Sequence, residues 1–90
     1  MSREEILHKA AEAVTAQQKE YGAPEDSFGV IAELWSVALQ HMKLPLCAQD
    51  VAMLMILLKA ARIITGPGKD DNWVDIAGYA ACGGELAKCD

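Results

Sequence analysis

The chain is short of several things, and each shortage narrows what it can be. Cysteine occurs three times, at Cys47, Cys82 and Cys89, and no two of these are spaced as CxxC. An odd count without paired spacing predicts reduced thiols of a cytoplasmic protein rather than a disulfide framework. No ligand spacing supports a zinc site built from these cysteines with His8 or His41. Positive charge is scarce as well: 8 Lys and Arg stand against 13 Asp and Glu, a net charge of −5. That balance excludes wrapping a nucleic-acid polymer through phosphate neutralisation, and it excludes an anionic membrane surface equally. One small phosphorylated ligand at a local cationic spot remains allowed. No apolar run reaches the roughly 18 residues of a membrane span. The N-terminal MSREEILHKA is charged and has no hydrophobic signal region. There is no internal repeat, low-complexity tract or linker, so residues 1–90 read as a single domain.

What the chain has in plenty is apolar surface. Its hydrophobic fraction is 52%, with seven glycines in addition, over only 90 residues. A domain this small buries a limited core. The excess therefore points to a homodimer or homotetramer that completes the core. The centre of the reading is VAMLMILLKAARII, Val51 to Ile64, apolar on almost every side. Such a helix belongs inside other helices. It carries two cations, Lys59 and Arg62, about 60° apart by helical geometry, which must find either solvent or an anion.

Other helices are legible around it, predicting an all-α, four-helix bundle. Ser2 and Glu5 form a capping box that starts the first, with Ile6, Leu7, Ala10, Val14 and Gln17 on its inward face and His8 on its solvated face. Gly22 and Pro24 end it near Tyr21. A second runs from Pro24 to about His41 with Phe28, Ile31, Leu34, Trp35, Ala38 and Met42 inward and Glu33 solvated. Glu25 and Asp26 suit the dipole of its first turn; alternatively, Tyr21 and Asp26 mark the mouth of a pocket. Pro45 breaks the chain before the central helix, where Asp50 suits the N-terminal dipole. GPGKDD is a turn, after which Asp70 or Asp71 caps the last helix. There Trp73, Ile76, Ala80, Gly83 and Ala87 are the predicted buried face. Gly78, Gly83 and Gly84 cost up to roughly 1 kcal/mol each in a helix, which suggests close backbone approach at a helix interface, within the chain or between subunits. Asp71 and Asp75, one turn apart, repel unless a divalent cation or a cation of the central helix lies between them.

Taken together, YGAPEDSF, IAELW, DVAMLMILLKAARI and KDDNWVDIAGYAA resemble a group of short phage and prophage proteins, over about Ile6 to Glu85. That group is similar in turn, more distantly, to the MazG-like all-α nucleotide pyrophosphohydrolases. These are helical oligomers that hold magnesium with an ExxE and an ExxD and split a nucleoside triphosphate into monophosphate and pyrophosphate. By this resemblance Asp75 stands at the ExxD aspartate, while Asn72 replaces its glutamate. Asp50 matches the first acid of the ExxE, and Met53 replaces the second.

The resemblance implies a MazG-like nucleoside triphosphate pyrophosphohydrolase with magnesium on Asp75, Asp71 and Asp50. Lys59 and Arg62 would neutralise the phosphates. Asn72, Tyr21, Asp26 and Tyr79 would contact the nucleotide, with Trp35 also able to hold the base. The missing acids favour a second reading, a non-catalytic nucleotide binder or a phage protein that sequesters a nucleotide signal. A third is a structural oligomer in which Lys59 and Asp75 pair. Under the first two, the protein works in the cytoplasm of a bacterial host.

Overall fold

The computed structural model describes residues 1–21, 24–66 and 70–87. Its elements are α1 (Arg3–Tyr21), α2 (Pro24–Gln40), α3 (Ala48–Thr65) and α4 (Asp70–Glu85), and no strand occurs among the described residues. The protein is all-α. Local chemistry sets the ends. Ser2 Oγ accepts the Glu5 backbone N–H at 3.1 Å, which satisfies one of the free donors at the start of α1. At the start of α3 the Asp50 carboxylate accepts the Cys47 backbone N–H at 3.0 Å. At its end, Gly66 N–H reaches the Arg62 carbonyl at 2.9 Å. The expected cap at Gly22 and the turn over Pro67 to Lys69 lie outside the described residues.

The central helix of the sequence reading is α3, which lies between α2 and α4. Trp35 ties it to α2: the indole Nε1–H donates to the Leu54 carbonyl at 2.8 Å. Burying the ring therefore leaves no unpaired donor. On the other side α4 approaches so closely that a Cβ built on Gly83 would lie 2.8 Å from Ala52 Cβ. The glycine needed for close approach is thus Gly83, and the contact is within one chain. Gly78 and Gly84 have nothing within 4 Å of an added Cβ.

Three expected faces differ. The inward face predicted for α1, Ile6, Leu7, Ala10, Val14 and Gln17, is exposed, because α1 packs little against the remaining helices. On α2, Ile31 is buried but Phe28 is 61% exposed. On α4 the buried face is rotated. Trp73, Ala80 and Ala87 are exposed, while Asn72 and Gly83 are buried and Ile76 and Tyr79 half-buried. Gly83 and Ile76 face inward as expected, but the helix turns Asn72 and Tyr79 toward the core in place of Trp73 and Ala80, because close contact at Gly83 sets the inward side. The thiol reading also changes. Cys47 is disulfide-bonded, whereas Cys82 is free and exposed. Spacing along a chain does not report which cysteines a fold brings together.

The result is a thin core. Ile31, Leu54 and Ala61 are its buried large or aliphatic residues among those described. The radius of gyration is 15.3 Å, against about 12 Å for a compact chain of this length. These features give opposite outcomes for two glycine substitutions. Gly83→Ala should lose about 1–3 kcal/mol, because the new methyl collides with Ala52. Gly78→Ala should gain up to about 1 kcal/mol, because it has room and the helix becomes stiffer. Urea unfolding of both variants tests this; equal midpoints would refute the close contact.

Candidate functional site

The packing partners of α3 set the registers from which the site is built. Lys59 pairs with Asp75, and Ala52 meets Gly83, so α3 and α4 run antiparallel. Trp35 meets Leu54 across a short connection, so α2 and α3 do likewise. Counting from each contact converges on one level. Stepping back from Trp35 to Ser27 matches stepping forward from Leu54 to Arg62, and stepping back from Asp75 to Asn72 matches stepping forward from Lys59 to Arg62. Ser27, Arg62 and Asn72 therefore belong to the end of the bundle where α2 and α4 begin and α3 finishes.

That end is buried and polar. Ser27 is 4% exposed, Asn72 1% and the neighbouring Ala61 0%. Ser27 and Arg62 each have an interaction partner. Asn72 does not: neither its Oδ1 nor its Nδ2 has a hydrogen-bond partner. An amide buried with both ends unpaired costs on the order of 1–3 kcal/mol, and native proteins contain few of them. Asp26, one residue before Ser27, is exposed at the same end.

Lys59 and Asp75 lie one helical turn deeper. Lys59 Nζ is 3.1 Å from Asp75 Oδ2, with the lysine side chain 13% exposed and the carboxylate 43%. Of the two cations that could reach Asp75, Lys59 is the one that does. The lysine is desolvated and depends on this carboxylate.

The residues expected from sequence are thus partly gathered. Arg62, Asn72 and Asp26 share one end, and Lys59 and Asp75 adjoin it. Asp71 is exposed, one turn from Asp75. Asp50 does not join them. It caps the far end of α3, about 13 Å along the axis from Lys59. Tyr79 lies two turns along α4 from Asn72 and lines a groove between α3 and α4. The Tyr21 side chain falls outside the described residues. Among the described residues no three His, Cys, Asp or Glu side chains group as a metal site requires. Trp35, considered for the base, is engaged with Leu54.

Sequence reasoning missed the burial of Ser27 and of Asn72. For Asn72 a signal existed: Asn72, Ile76, Tyr79 and Gly83 follow helical spacing, with the polar residue at the open end of an inward stripe.

A helical protein with one buried polar end is the class that this geometry defines. Residues 5–87 match a domain of unknown function, DUF6378, and the chain belongs to that family. It is 39% identical over 80 residues to the Gene 55 protein of Mycobacterium phage D29, a match that covers 88% of this chain and 51% of the relative. To the Gene 55 protein of Mycobacterium phage L5 it is 38% identical over 76 residues, 83% of this chain and 47% of that one. This is a phage protein family, and the chain spans about half the length of these curated relatives. No solved structure matches it. No described helix is long and apolar enough to cross a membrane.

The ion pair makes a direct forecast. Asp75→Asn strands Lys59 against the core and should cost about 1–3 kcal/mol, between the values for exposed and buried pairs, since the carboxylate is partly solvated. Denaturant midpoints measure it. A variant as stable as the parent would show that Lys59 does not need Asp75.

Proposed function

We propose that this protein binds a nucleotide at the polar end of the bundle, without hydrolysing it, and that it does so in the cytoplasm of an infected bacterium. Reduction there would open the Cys47 disulfide. The observation that carries the reading is Asn72, buried with both amide atoms unpaired. An amide satisfies the edge of a base or a phosphate oxygen equally well, offering one donor group and one acceptor. Arg62 lies at the same level and supplies charge, and the starts of α2 and α4 turn their partial positive ends the same way. The ligand class rests on the resemblance of the sequence to MazG-like enzymes, by which Asn72 stands where those enzymes keep an acid. With a net charge of −5, a small ligand suits the chain better than a nucleic-acid polymer or a membrane.

Binding without turnover is favoured by the state of the acids. Asp75 is engaged by Lys59 and Asp50 by the start of α3. Magnesium-dependent pyrophosphohydrolysis would need Asp75 to exchange its lysine for the metal, with Asp71 as the neighbouring ligand. Magnesium would then shield phosphate charge and orient an attacking water. Lys59, released from Asp75, would be free to face a phosphate.

The test is a thermal-shift panel of nucleoside mono-, di- and triphosphates, each with and without magnesium. A ligand at a hundred times its dissociation constant adds about 2.7 kcal/mol. Asn72→Leu should raise the melting temperature of the free protein, because it removes the unpaired amide. The same change should abolish the ligand shift. If no nucleotide stabilises the parent, the reading fails. Release of pyrophosphate in the presence of magnesium would replace the binder with the hydrolase.

A further inference from the structure

We infer that the outward face of α4 docks a second copy of this chain, antiparallel, about a two-fold axis between Ala77 and Ala80. This inference is independent of the ligand reading. Trp73, Ala77, Ala80 and Gly84 recur at helical spacing and form one stripe. All are exposed, Trp73 at 63%. The stripe holds no polar side chain, and Asp71, Asp75 and Glu85 lie roughly 120° or more around the helix from its centre or beyond its ends.

Its two ends are complementary. One end carries the indole of Trp73 as a knob. Beside the other lies a groove of about 250 Å³, lined mainly by apolar and small residues, among them Met53, Ile56, Ala80 and Gly84, with Gln49 and Tyr79 as its polar members. Gly84 forms an open stretch of its wall, with nothing within 4 Å of where a Cβ would stand. An antiparallel partner places Trp73 of each copy opposite Gly84 of the other, and Ala77 opposite Ala80. One surface patch then serves both subunits, as a two-fold contact requires. The stripe is small enough for the helices to approach closely, and the indole provides an anchor of the kind that dominates interface energies.

The chain as a whole exposes more surface than a compact monomer does. The chain has 6528 Å² of accessible surface, about 1,400 Å² more than a compact monomer of this mass. A stable interface takes about 800 Å² from each partner. The α1 stripe is exposed too, but it is interrupted by polar residues, and the groove on that helix is lined by His8, Glu12, Thr15 and Lys19 as well as alanines. The α4 face has both the knob and a mainly apolar socket without a charged side chain.

Sedimentation equilibrium over a micromolar to millimolar range tests the pairing. The parent should reach twice its 9.7 kDa mass. Trp73→Ala and Gly84→Leu should each weaken association by about tenfold or more. Far-ultraviolet circular dichroism should report unchanged helix in Gly84→Leu, whose new side chain projects into open space in a single chain. Trp73 emission should shift to the red as the parent dissociates on dilution, a change that Trp73→Ala must lose while Trp35 remains. A parent that stays at 9.7 kDa throughout overturns the proposal. So does an association that both variants leave unchanged, which would place the contact on another face.

Discussion

The close approach of α4 to α3 at Gly83 is the constraint from which the remaining packing follows. With no Cβ at Gly83, Ala52 can sit against the backbone of α4. That contact determines which side of α4 faces inward and where each residue falls along α3. Asp75 then reaches Lys59, and Asn72 comes to rest in the buried end. A bulkier residue at this position would separate the helices or rotate α4, and either motion would take Asp75 away from its lysine. The Trp35 bond to the Leu54 carbonyl plays the corresponding part on the other side, holding α2 against α3 by one directional contact.

Two kinds of polar group result, and they differ in what they need. Lys59 and Asp75 satisfy one another, so that pair supports the fold at the cost of desolvating a lysine. Asn72 is satisfied by nothing in the described chain, so its burial is a cost to the fold. Membership of a phage family places the protein in a biological setting, while the chemistry rests on these two groups. The shared region is about half of each relative.

The thin core and the apolar exterior are two sides of one fact. A short chain rich in apolar residues covers α3 with α2 and α4 and still leaves Trp73, Val74 and Phe28 exposed. The surface left over is not random. On α4 it forms a charge-free stripe beside a groove, whereas on α1 it is divided by polar side chains.

How much of this was legible beforehand depended on the range of the interaction. The helix ends follow from neighbours in sequence: Ser2 capping α1, Asp50 bonded to Cys47 at the start of α3, and Pro24 opening α2. These are local contacts, and the sequence alone determined them, along with the all-α class and the central place of Val51 to Ile64. Which face each helix buried was less local. Hydrophobicity singled out Phe28 and Trp73, yet both are exposed, because helices settle where backbones pack most closely and not where the largest ring lies. The sequence could name Lys59, Arg62 and Asp75 as residues that needed partners. Only the tertiary structure decided that Lys59 takes Asp75, that Asp50 stands apart and that Asn72 is left unpaired. Those outcomes rest on contacts between residues far apart in the chain, and spacing along one helix carries no information about the register of the next.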